Sequence, residues 1–112
     1  MPKYADITGW GKCMPPAVMT NDDFASVIDT TDEWITSRTG VRERRMAGPE
    51  VTTSDLALEA SKNALEMAGL TARDIDLIIV ATCSPDRAIP SVAAYVQREL
   101  GGLGATMDLN AA

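Results

Sequence analysis

The chain has 112 residues, room for one small domain at most, and its 46% hydrophobic and 23% charged residues are the balance of an ordinary soluble globular chain. A formal charge of −6 argues against nucleic acid as a partner, because neutralising phosphates needs a net basic face. Histidine is absent and cysteine occurs only as Cys13 and Cys83. No Cys–His or Ser–His catalytic pair is complete within these residues, no disulfide scaffold is available, and no metal-ligand spacing stands out. The N-terminal residues lack the apolar stretch of a secretory signal, and the apolar run 77–81 is far too short to span a bilayer, so a cytoplasmic protein without a membrane partner is the expectation.

Residues 4–10 read as a first strand running into a Gly-Trp-Gly-Lys turn, and Met14-Pro15-Pro16 as a loop. Thr20 or Asn21 caps a short helix whose apolar face is Phe24, Val27 and Ile28. Thr30 and Glu33 stand at capping-box spacing and predict a second helix, with Trp34 and Ile35, ending before Gly40. Residues 41–46 look extended.

The clearest helix runs from Thr53 or Ser54 to Ala68 and ends at Gly69, with Asp55, Glu59, Lys62 and Glu66 forming a solvated stripe. Its alanines (Ala57, Ala60, Ala64 and Ala68) suit close packing on a sheet. After a one-turn connector at 71–74, residues 76–82 have the apolar, β-branched pattern of a strand covered on both faces. A loop at 83–86 leads to a helix opened by Pro90 and Ser91, with Val92, Tyr95, Val96 and Leu100 inward. Gly101-Gly102 stops it, and residues 105–110 form a last strand. This alternation predicts an α/β fold with a mostly parallel sheet. A doubly covered strand needs two covering layers, yet few helices are available. The expectation is therefore the first part of a larger domain, marginal or unfolded by itself.

The densest chemistry lies in residues 29–45, where one tryptophan stands among four arginines. Trp34 and Arg38 are four residues apart and share a helix face, which suits a ligand with a π face and phosphates, or simply a surface packing pair. Arg42, Arg44 and Arg45 alternate sides if extended, so at most two face one ligand, and some are expected to pair with Glu43, Asp32 or Glu33.

These residues resemble a known family. Thr20-Asn21, Asp29-Thr30-Thr31-Asp32-Glu33-Trp34-Ile35 and Arg38-Thr39-Gly40-Val41-Arg42-Glu43-Arg44-Arg45 are similar to the N-terminal signature of β-ketoacyl-acyl carrier protein synthase III. Ala64-Leu65-Glu66-Met67-Ala68-Gly69-Leu70, Asp74-Ile75-Asp76-Leu77-Ile78-Ile79-Val80-Ala81-Thr82, Ser84-Pro85-Asp86, Ile89-Pro90-Ser91 and Met107-Asp108-Leu109-Asn110-Ala111-Ala112 continue in register, so the resemblance covers nearly the whole chain. The tryptophan-to-arginine block is the specific part.

The resemblance implies a thiolase-like fold, five-layered α-β-α-β-α in the complete enzyme, of which 1–112 form the N-terminal part of the first half-domain. It implies a homodimeric acyltransferase that loads an acyl group from acyl-CoA onto a cysteine and condenses it with malonyl-acyl carrier protein, with no cofactor besides the acyl-CoA substrate. The nucleophilic cysteine would come immediately after Ala112, and the partner histidine and asparagine further on. A modified cysteine is one expectation for a stop at Ala112, and a true fragment or a break in an ordered chain the competing one. The small residues Asn110, Ala111 and Ala112 either shape the approach to the nucleophile or merely pack. Trp34 and Arg38 match coenzyme A contacts, and Thr30 a position near the adenine. Ile89 matches a position that reaches across the dimer to the end of the partner's acyl pocket, where isoleucine in place of a large aromatic suits a longer or branched primer; its bland alternative is core packing. Cys83 and Cys13 are expected to be passive. Two other functions remain in view: acyl transfer in secondary metabolism without condensation, and a non-catalytic piece that binds coenzyme A or dimerises.

Overall fold

The computed structural model describes residues 3–110, and those residues divide into two compact units, 14–50 and a second made of the N-terminal segment to Cys13 with 51–110. Ala111 and Ala112, expected either to shape the approach to the nucleophile or merely to pack, lie outside the described residues.

In the unit 14–50, strand β1 (Ala17–Thr20) pairs antiparallel with β2 (Glu43–Met46), Val18 opposite Arg45 and Thr20 opposite Glu43. Two short helices fill the connection, α1 (Asn21–Ala25) and α2 (Asp32–Thr39). Thr20 caps α1 in a reciprocal box with Asp23, as the Thr-Asn-Asp-Asp pattern predicts. The helix stops at Ala25, short of Val27 and Ile28, which are exposed rather than part of an apolar helix face. The cap of α2 is Thr31, whose hydroxyl accepts from the Trp34 N–H, and not Thr30. Spacing alone made Thr30 and Glu33 a box, but the extended residue before the first helical turn is Thr31. Gly40 ends α2 at φ 72°, a left-handed conformation that glycine adopts without a Cβ penalty.

In the other unit, helix α3 (Thr53–Ala68) is capped by Thr52 with Asp55 and ends at Gly69, as expected. A single 3₁₀ turn, Ala72–Asp74, leads into β3 (Leu77–Ala81), and α4 (Val92–Leu100) crosses over to β4 (Ala105–Leu109). The two strands are parallel, Leu77 opposite Ala105 and Ala81 opposite Leu109. Their inward residues meet α3 and α4 in a core of Leu58, Val92 and Val96, flanked by Ala57, Val80, Tyr95 and Leu100. The sheet content is thus half parallel and half antiparallel, not mostly parallel: β1 and β2 form an antiparallel pair apart from the parallel β3–β4 pair.

Two further expectations change. Residues 4–10 form no strand: the segment lies instead along α3, where the Trp10 N–H reaches Met67 Sδ (3.4 Å) and Asn63 donates to the Lys12 carbonyl (3.0 Å). Contact is close enough that a Cβ on Gly9 would sit 2.5 Å from the Ala64 carbonyl oxygen. The alanine stripe of α3 therefore receives an extended glycine-containing segment. Second, β3 is covered on one face only within the described residues. Ile78 and Val80 turn inward, while Leu77 and Ile79 are 48% and 51% exposed.

Candidate functional site: an aromatic–guanidinium stack beside a cleft

Helix α2 carries Trp34 and Arg38 one turn apart, and in the folded chain they touch: the Arg38 guanidinium lies over the indole, 5.6 Å from the ring centroid. Trp34 is 56% exposed, so one of its faces meets the guanidinium and much of the ring remains open to solvent. Beside it opens a cleft of ≈ 400 Å³ lined by Ile28, Asp29, Thr30, Thr31 and Trp34. Thr30, freed from capping, also lines this cleft, and its hydroxyl oxygen is shielded from solvent and has no hydrogen-bond partner among the described residues. Buried hydroxyls are normally paired, so this one meets a ligand's polar group only if the threonine side chain rotates towards the cleft. Three of the predicted site residues are therefore brought together within one unit.

Charge divides the site. Asp32 and Glu33 occupy the first turn of α2, and Asp29 lines the cleft, so phosphate is disfavoured there. Arg38 sits in the last turn, where a cation also complements the carbonyl end of the helix. The cleft suits a neutral flat ring, and the Arg38 side suits anionic groups.

The neighbouring arginines do not form the expected ion pairs with Glu43, Asp32 or Glu33. Arg44 turns inward, donating to the carbonyls of Met19 (3.4 Å) and Thr20 (3.0 Å) and to Asn21 Oδ1 (2.5 Å), with its guanidinium 5.0 Å from the Phe24 ring centroid. Arg45 donates to the Pro16 carbonyl (3.4 Å). Strand carbonyls near the end of β1 offer nearer acceptors than the carboxylates do. Sequence reading missed Asn21, a fully buried polar residue, and the cleft residues Ile28 and Asp29. An asparagine directly after a capping threonine already has a local explanation, which hides its long-range one.

In the other unit, the loop after β3 is tied to the start of α3. Asp86 Oδ1 accepts from the Ser54 N–H (2.9 Å) and hydroxyl (2.7 Å), its Oδ2 accepts from Arg87 Nε (3.0 Å), and Thr53 donates to the Ser84 carbonyl (2.9 Å). Burial pushes the Asp86 carboxyl up, but the Ser54 hydroxyl, Arg87 and the Ser54 N–H outweigh it and hold the group below its ordinary value of 3.8. Cys83 is exposed at the start of this loop and Cys13 is half-buried; both are free thiols. Ile89 is 91% exposed, so it does not pack in the core of this unit. At the C-terminal end of β4, both oxygens of Asp108 accept the first N–H groups of α4, from Val92 and Ala93, at 2.8 Å each.

The same stretch of chain recurs in known proteins. No protein-family model matches. The chain is 60% identical over 110 residues to β-ketoacyl-acyl carrier protein synthase III 2 of Vibrio vulnificus strain YJ016, covering 97% of this chain and 30% of that protein. It is 56% identical over 110 residues to the corresponding protein of Vibrio cholerae, with the same coverage. The chain matches the N-terminal third of β-ketoacyl-acyl carrier protein synthase III. In three dimensions it overlays 3-oxoacyl-acyl carrier protein synthase III from Aquifex aeolicus with a TM-score of 0.84 at 42% identity, covering 94% of this chain and 34% of that one. The priming β-ketosynthase of the R1128 polyketide pathway overlays with a TM-score of 0.85 at 37% identity, covering 94% and 32%. The fold is accordingly the N-terminal part of the thiolase-like α/β fold of these synthases. The chain spans about a third of the length of the synthase III relatives it matches. No helix among the described residues is long and apolar enough to cross a membrane.

Proposed function

We propose that the complete protein is an acyltransferase of the ketoacyl synthase III type, which starts fatty-acid elongation. An acyl group passes from acyl-CoA to a cysteine following Ala112, releasing coenzyme A. The acyl-enzyme then condenses with malonyl-acyl carrier protein, losing carbon dioxide, to give a 3-oxoacyl-acyl carrier protein. The protein works in the cytoplasm as a homodimer and needs no cofactor. The relatives' names support the reaction class; the observation that carries the role of this segment is the Trp34–Arg38 stack beside a cleft with an unpartnered Thr30 hydroxyl. Adenine stacks on the open part of the Trp34 ring and enters the cleft, and Arg38 serves the phosphates. The exposed Ile89 reaches the partner's acyl pocket and leaves room there for a longer or branched primer.

The test is steady-state kinetics of the complete protein with acetyl-CoA and malonyl-acyl carrier protein, following carbon dioxide release. Base–aromatic stacking contributes about 1–3 kcal/mol, so Trp34→Ala is expected to raise the KM for acetyl-CoA by roughly 5- to 150-fold. Arg38→Ala should do likewise, and Thr30→Val more weakly, each with the KM for malonyl-acyl carrier protein unchanged. Unaltered acetyl-CoA kinetics in the Trp34→Ala, Arg38→Ala double variant would exclude the clamp.

A further inference from the structure

The helix that bears the stack has little to hold it. Eight residues are too few for a helix to persist by propensity alone, and Ile35 is the one buried residue of α2. Its remaining anchor is polar. Asn21 is 1% exposed, and its Nδ2 donates to Asp32 Oδ1 (2.7 Å), Thr36 Oγ1 (3.3 Å) and the Val41 carbonyl (2.8 Å). These acceptors are the first turn of α2, its second turn and the chain just beyond its end. Asn21 Oδ1 in turn accepts from Arg44 Nη2, and the Asn21 N–H donates to the Arg42 carbonyl (3.2 Å). Arg44 is fixed on its other side by two β1 carbonyls and the Phe24 ring. One side-chain amide thus ties both ends of α2 to the β1–β2 ribbon. Asp32 and Thr36 lie four residues apart on one face of α2, turned away from the face that carries Trp34 and Arg38.

From this geometry we infer that Asn21, held by Arg44, is a positioning residue for the nucleotide-binding face of α2: it touches no substrate but fixes the rotation of the helix about its axis, and so the direction of the Trp34–Arg38 stack. This rests on the reading of that stack as the coenzyme A clamp. Rotation of α2 would displace the ring and the guanidinium together, and small misplacements of binding groups are costly in rate. A purely structural role predicts general loss of activity, whereas positioning predicts loss only where the nucleotide is recognised.

Two acyl donors separate these: acetyl-CoA, which has the adenine nucleotide, and S-acetylpantetheine, which lacks it. In the complete protein, Asn21→Ala is expected to lower kcat/KM for acetyl-CoA about tenfold, through KM, and to leave S-acetylpantetheine turnover and the KM for malonyl-acyl carrier protein unchanged. Arg44→Lys keeps a cation but loses the fork that meets Asn21 and two carbonyls, so it should give a smaller loss of the same kind. Trp34→Ala is measured alongside. If Asn21→Ala and Arg44→Lys depress both donors equally, the network only holds the fold and the inference is overturned. If Trp34→Ala erodes the preference for acetyl-CoA while Asn21→Ala does not, the positioning role alone is overturned. If Trp34→Ala leaves that preference intact, the clamp itself is wrong and the inference falls with it.

Discussion

Thr30, Asn21 and Ile89 show how far single residues can be understood from their immediate neighbours in the chain. Thr30 and Thr31 are chemically identical, and capping-box spacing selects Thr30; the helix selects Thr31, because the Trp34 N–H points to it. Thr30 thereby acquires the orphan hydroxyl that makes it interesting. Asn21 was invisible as a hub because its partners Asp32, Thr36, Val41 and Arg44 are 11 to 23 positions away. Trp34 and Arg38 were legible, since helical periodicity alone puts them on one face. Ile89 is the reverse case. Its neighbours suggest core packing, yet an isoleucine 91% exposed has its apolar surface free for another surface. If that surface is the partner's acyl pocket, filling it should shorten the primer the enzyme accepts. Ile89→Phe is expected to shift selectivity in the complete protein towards acetyl-CoA and away from longer and branched acyl-CoA donors, read as the ratio of kcat/KM values across such a series. An unchanged ratio sinks the assignment.

At the scale of elements, helices with strong local signals were legible and the strands depended on what they met. Helices α3 and α4 follow from apolar spacing, capping threonine or serine and a terminal glycine, all of which act within a few residues. Residues 4–10 have strand-like composition, but a strand exists only where another strand pairs with it, and Gly9 and Gly11 commit this segment to the alanine face of α3. The loop after β3 is held by a side chain rather than by a ladder. Asp86 is ionised in that hold, and its carboxyl is kept below its ordinary value of 3.8. A lowered pKa in the folded state means that the unfolded state binds the proton more readily, so the stabilisation is present above the unfolded value and is lost as pH falls through the folded one. Asp86→Asn keeps an acceptor for Ser54 but removes the charge. It should cost on the order of 1 kcal/mol at pH 7, a modest figure because the ion pair to Arg87 is partly solvated. The gap between the melting temperatures of Asp86→Asn and the parent should narrow as the buffer is taken from about pH 7 to about pH 3. A gap that stays constant would mean that the charge on Asp86 does not stabilise the loop.

For the whole molecule, the sheet β3–β4 carries the decisive physical constraint. Its residues alternate, Ile78, Val80, Thr106 and Asp108 towards the helices and Leu77, Ile79, Met107 and Leu109 away from them. Each of the four outward side chains is about half exposed, and they belong to paired strands, so they form one contiguous apolar face. A run such as Leu77 to Ala81, apolar at every position, is the pattern of a strand that is buried on both sides. The relatives are about three times as long as this chain, which makes further polypeptide the natural cover. Burying such a face contributes roughly 25 cal/mol per Å² of apolar surface removed from water, and leaving it wet forfeits that term and favours association. The 112 residues expressed alone are therefore expected to bind a hydrophobic dye such as ANS and to melt without a cooperative transition, and the complete protein to do neither. Replacing Leu77 and Ile79 by threonine should reduce dye binding by the isolated chain while destabilising the complete protein, since the same positions are exposed in one and covered in the other. A cooperative, dye-free melt of the isolated chain would show that this face needs no cover.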